Sequence, residues 1–145
     1  MATVSGTNMA KALAPTPATY MGPEFEGKLH TIVENYTFAS AAIGTVVRVG
    51  RLNKGEVFVS GQITGADLGS ATTLQMGDLK AAGEAVGDAD RYLAATVFTT
   101  ANQKTDCNAL AGRGYKATED MIITVETAVE EATGRIDVVI IKAVP

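Results

Sequence analysis

The chain has 145 residues, of which 46% are apolar and 19% charged, and it carries a net charge of −4. That length fits one domain with a modest extension, and that apolar share supplies a real core and argues against wholesale disorder. Its 12 Lys and Arg are spread thinly, without the cation stripe that phosphate neutralisation needs, so nucleic acid is not expected as a partner.

The first 26 residues hold three of the four prolines (Pro15, Pro17, Pro23) and only three charges (Lys11, Glu24, Glu26). No charged start leads into a long apolar stretch, so no signal peptide is expected. Ordering these 26 residues costs roughly 1–2 kcal/mol each in backbone entropy, and full burial of an apolar side chain returns about 1.5–3 kcal/mol. The larger apolar side chains, Met9, Leu13, Tyr20, Met21 and Phe25, are too sparse to order the segment alone. Its low charge is equally unlike a solubility tail. Residues 1–26 are therefore read as an extended arm that docks on a partner through those five side chains, ahead of a domain at 27–145.

Between Glu24 and Val144 there is no proline, and glycines at 44, 50, 55, 61, 65, 69, 77, 83, 87, 112, 114 and 134 leave little room for helices. Strands are predicted at 28–38, 45–51, 56–64, 71–78, 91–98, 113–117, 120–128 and 135–143, where β-branched and aromatic residues gather. Alternation places Val57, Val59, Gly61 and Ile63 on one face of the third strand, with Phe58, Ser60 and Gln62 on the other. In the seventh, Met121, Ile123 and Val125 oppose Ile122, Thr124 and Glu126. In the last, Ile136, Val138 and Ile140 oppose Arg135, Asp137 and Val139; Val139 and Ile141 on the second face suggest a cover or a partner there. Asn53-Lys54-Gly55 and Ala132-Thr133-Gly134 read as tight turns, and 79–87 and 101–110 as long loops. The fold class is all-β: a β-sandwich, a jelly roll of about eight strands.

Motifs for chemistry are weak. Cys107 is the single cysteine, so no internal disulfide forms, and with His30 alone it cannot build a zinc site. His30 lies in a regular strand without a nucleophile elbow, and Glu130-Glu131 reads as a solvated pair. Gly112-Arg113-Gly114-Tyr115-Lys116-Ala117 matches a loose dinucleotide pattern but precedes a strand where a helix is required. Asp88-Ala89-Asp90 begins like a calcium loop, yet Leu93 occupies the glycine position; a weak cation site with Asp78 is the remaining metal idea. Asn35-Tyr36-Thr37 is a sequon by chance in a chain that is not secreted. The longest aliphatic run, Val138 to Ile141, is too short to cross a bilayer, so no membrane partner is expected and the protein is read as soluble. No enzyme activity and no cofactor are expected.

The run Leu52-Asn53-Lys54-Gly55-Glu56-Val57, followed by Ala66-Asp67-Leu68-Gly69-Ser70-Ala71-Thr72-Thr73-Leu74-Gln75-Met76-Gly77-Asp78, resembles small structural proteins of tailed bacteriophages. There a Leu-Pro-Lys-Gly-like turn leads to a Leu-Gly-x-x-Thr-Leu-x-x-Gly-Asp-like strand; Asn53 stands here where a proline is common. Asp88 to Tyr92 and Thr133 to Val138 continue the resemblance, which spans about 44–141. It implies a capsid cement, or decoration, protein with a jelly-roll-like domain and a terminal arm. The implied location is the outer capsid surface of the virion, after synthesis in the host cytoplasm. The implied partners are the major capsid protein and other copies of the chain, as a homodimer or homotrimer. A phage tail or fibre component, and a carbohydrate-binding β-sandwich, remain alternative readings.

Overall fold

The computed structural model describes residues 28–145 and the backbone of Thr3–Val4. Its strands are β1 (Thr3–Val4), β2 (Lys28–Ala41), β3 (Val46–Leu52), β4 (Val57–Gly65), β5 (Thr73–Lys80), β6 (Val86–Val97), β7 (Gln103–Asp106), β8 (Met121–Ala128) and β9 (Ala132–Val144). Two antiparallel sheets form, in the orders β1-β2-β9-β4-β7 and β3-β8-β5-β6. Leaving β1 aside, the ladders nest: β5 pairs β6, β4 pairs β7, β3 pairs β8 and β2 pairs β9. A long nested hairpin of that kind, rolled up so that β4 also meets β9 and β5 also meets β8, is a jelly roll.

The core lies between the sheets. Ile136, Val138 and Ile140 of β9 face Met121, Ile123 and Val125 of β8 across it, all buried. Alternation is obeyed in both strands as the sequence predicts. β4 departs from it. A bulge between Phe58 and Ser60 inserts a residue, so Phe58 and Ile63 share the inner face and Val59 is turned out. The predicted faces of this strand therefore hold only beyond the bulge: Phe58, predicted opposite Ile63, lies inside with it, and Val59, predicted beside Ile63, lies outside. Gly61 is inside, where a Cβ would stand 3.0 Å from both Phe58 and Cys107.

Three other expectations are corrected. Residues 113–117 make no strand of their own: they pair with the start of β4 through one isolated bridge, Val57 to Lys116, and flanking bonds such as Phe58 N to Tyr115 O and Ala117 N to Glu56 O, both 2.9 Å, with Tyr115 packed against the core. The strand in that position is β7, inside the stretch read as a loop. β6 starts at Val86, before the predicted 91, because Asp88 and Ala89 pass directly over Gly77. A Cβ on Gly77 would lie 2.1 Å from the Asp88 carbonyl oxygen, so only glycine permits that crossing. The 79–87 stretch is thus the end of β5, a short turn and the start of β6. Finally, the β8–β9 reversal occupies 129–131, and Ala132-Thr133-Gly134 already belongs to β9. Asn53-Lys54-Gly55 does turn: Glu56 N donates to Asn53 O at 2.9 Å, and Gly55 has the positive φ of 90° that the third position of a type II turn requires.

Candidate docking surfaces

Strand direction gathers the connections at two ends. Residues 53–56, 81–85 and 107–120 lie at one end with the C-terminus; 42–45, 66–72, 98–102 and 129–131 lie at the other.

The first end is fastened by charges. Asp78 is fully buried; its carboxylate accepts from Arg91 Nε at 2.6 Å, the Tyr92 hydroxyl at 2.9 Å and Asp88 N at 3.1 Å. The Arg91 guanidinium sits 4.0 Å over the Tyr115 ring, and Tyr92 stacks on Phe58 at 4.2 Å. Burial, with the charge of Asp78, pushes the Tyr92 hydroxyl above its usual range and keeps it a donor. Nearby, buried Lys142 donates to Glu56 at 2.6 Å and to Arg51 O at 3.0 Å, while Glu56 also accepts from Asn53 N at 2.7 Å. At the surface, Asp120 accepts from Lys54 N at 2.9 Å and Arg51 Nη2 at 2.8 Å, and those bonds hold its carboxyl below the usual range.

These contacts overturn the cation site imagined for Asp78, Asp88 and Asp90. Asp78 points into the core and its oxygens are taken by Arg91, Tyr92 and a backbone amide. No cluster of three metal-ligating side chains occurs among the described residues. Gly112 serves close packing: a Cβ there would lie 2.6 Å from Arg91 O, and no helix follows it. Glu130 is not merely solvated either, since it accepts from Ala71 N at 2.9 Å and Ser70 Oγ at 3.0 Å. Cys107 is buried, and burial, helped by Asp106, pushes its thiol up to about 12, which leaves it protonated and inert. His30 stands opposite Lys142 in the β2–β9 ladder.

The other end is held by backbone and hydroxyl bonds. Gly44 N donates to Thr127 O at 2.8 Å, and Thr127 Oγ1 to Ala42 O at 2.9 Å, which sets the 42–45 turn beside the 129–131 turn. Each turn lifts an aliphatic side chain into solvent: Ile43 is 62% exposed and Val129 61%. Val129 also has a φ of +72°, a conformation that a β-branched residue adopts only under strain.

A third surface is the outward face of the β2-β9-β4 sheet. The register aligns Val33, Val139 and Gln62 in one row and Thr31, Ile141 and Ser60 in the next. With Val59 they make a mixed strip, its aliphatic Val33, Val139, Ile141 and Val59 set among Thr31, Ser60 and Gln62, bordered by a groove of about 520 Å³ that Asp106 and Arg113 also line. Val139 and Ile141 thus lie on an outward face that the chain leaves partly open, as their position in the sequence suggests.

The fourth is an edge. β2 is 14 residues long, and Thr3–Val4 pair with it only at Ile32 and Thr31. Beyond Ile32 that edge meets no strand among the described residues. The predicted contact residues Met9, Leu13, Tyr20, Met21 and Phe25 lie outside the described residues. Sequence reading passed over Ile43 and Val129, because an aliphatic residue near a strand end reads as core until the turns are placed.

No protein-family model matches the sequence, and no curated protein does. Among solved structures, the fold is similar to a chain in the capsid of Ralstonia phage GP4, with TM-score 0.64 and 20% identity over 82% of this chain and 86% of that one. A chain of the cyanophage Pam1 capsid asymmetric unit gives TM-score 0.60 and 19% identity over 82% and 86%. A chain of the acidic stable capsid of Helicobacter pylori bacteriophage KHP30 gives 0.61 and 13% over 81% and 88%.

Proposed function

We propose that this chain is a phage capsid cement protein, which binds the outer surface of the major capsid protein shell and bridges neighbouring subunits. The observation that carries this reading is the two-way coverage. The same jelly roll, at similar chain length, occurs in three phage capsids, with 86–88% of each of those chains matched. The internal chemistry supports a structural role, because the buried charges Asp78, Glu56 and Lys142 are consumed in holding loops together.

Physically, a protein that binds only the assembled shell stabilises it by mass action. Many symmetry-related copies make modest individual contacts cumulative. In this reading the apolar tip at Ile43 and Val129 and the arm, residues 1–26, meet the shell and sister copies, as dimer or trimer. Deleting residues 2–22 tests it: retention on shells is expected to be lost in a sedimentation assay, with the β circular dichroism of the sandwich unchanged. Unchanged retention of the truncated chain would refute the role given to the arm.

A further inference from the structure

We infer that Thr3–Val4 is an exchanged strand, pairing in the assembled shell with the β2 edge of a second copy of this chain. The inference rests on the reading of the protein as a bridge between neighbours, and it names the acceptor.

Three observations carry it. First, the acceptor is an edge that needs a cover. β2 presents 14 residues, carries only Lys28 and Glu34 as charges, and has one irregularity, between Phe38 and Ala41. Long edges with few guarding charges recruit strands from other chains. Second, the pairing chemistry is already in place. Thr3 stands opposite Ile32 and Val4 opposite Thr31, antiparallel, and those main-chain bonds are identical whichever copy supplies the strand. Third, the connection is far longer than a turn requires. Val4 and Lys28 are joined by 23 residues (5–27), although Lys28 is only three residues along β2 from Thr31. Two to five residues suffice for an antiparallel return. Extended, 23 residues reach about 75 Å, enough to pass from one small domain to the next. Copies held side by side on a shell see each other's strands at millimolar effective concentration, which favours exchange without any new contact.

Cross-linking at the observed register tests this. In a Cys107→Ala background, Val4→Cys and Thr31→Cys are placed in one chain, and Thr3→Cys with Ile32→Cys in another. Both pairs are used because antiparallel neighbours alternate between near and far spacing. Chains are bound to shells, oxidised and run without reductant. Exchange predicts that most shell-bound protein migrates as covalent dimers or larger rings. It also predicts that mixing separately tagged Val4→Cys and Thr31→Cys chains yields the mixed dimer. Intrachain cross-links alone, or none with either pair, would overturn the exchange. Co-sedimentation of the unsubstituted chain with shells is scored in parallel. A chain that sediments with shells but cross-links only within itself leaves the cement reading standing, whereas one that fails to sediment removes both.

Discussion

At the end bearing the 53–56 turn, the connections are anchored through Asp78–Arg91 and Glu56–Lys142, two ion pairs with at least one partner almost fully buried. At the end bearing Ile43 and Val129, four chain reversals against three are managed by backbone amides, threonine hydroxyls and the Glu130 carboxylate. The contrast separates two uses of side chains. One end fixes its geometry with buried ion pairs, the other with backbone and hydroxyl bonds and a strained φ at Val129; both leave aliphatic side chains in water, Val86 and Leu110 at the first and Ile43 and Val129 at the second.

The sharpest way to break that contrast is Asp78→Ala. It strands Arg91 and Tyr92 beside a cavity and is expected to cost about 3–5 kcal/mol. Against the roughly 5–15 kcal/mol of a whole domain, that brings the protein close to unfolding. Denaturant midpoints measure it, and a loss below 1 kcal/mol would mean the cluster does not anchor the end. Val129→Gly should do the reverse. Relief of the φ of +72° raises stability by about 1 kcal/mol, seen as a higher Tm, while binding to shells weakens. A variant both less stable and equally well bound would show Val129 to be an ordinary structural residue. The smallest effect belongs to Asp120→Asn. Because the folded state holds the Asp120 carboxyl below its usual range, the stabilisation is present above about pH 4 and lost as pH falls through the depressed value. The Tm difference from the unsubstituted protein should therefore close on acidification below about pH 4. A difference that does not shrink at all as the pH is lowered would contradict the role of the carboxylate.

Much of the roll was legible one residue at a time. Proline exclusion, glycine punctuation and β-branched and aromatic residues located β2, β3, β5, β8 and β9, and period-two alternation set the faces of β8 and β9, which have one face on the core. Legibility failed where tertiary contacts overrule period. The bulge at Val59 reverses β4 through its pairing with β9, which no local pattern encodes. β7, Gln-Lys-Thr-Asp, is a polar edge strand with no apolar face to betray it. The Asp88–Ala89 crossing over Gly77 required knowing which strand lies next door. Of the surfaces, only the outward Val139 and Ile141 were visible in advance, as apolar residues on the wrong parity. The exposed tip and the β2 edge exist only once turns and sheet order are fixed.

The nested ladders carry a kinetic consequence. The innermost loop, 81–85, is short to close, whereas β2 and β9 bring together residues as distant as Lys28 and Val144. Closure entropy therefore orders assembly from the centre outwards, with the outermost ladder last and the overall rate slow for the chain's size. The edge that receives Thr3–Val4 is then finished only when the roll itself is finished. Nascent chains present no complete acceptor, so premature tangling between half-made copies is suppressed by topology alone.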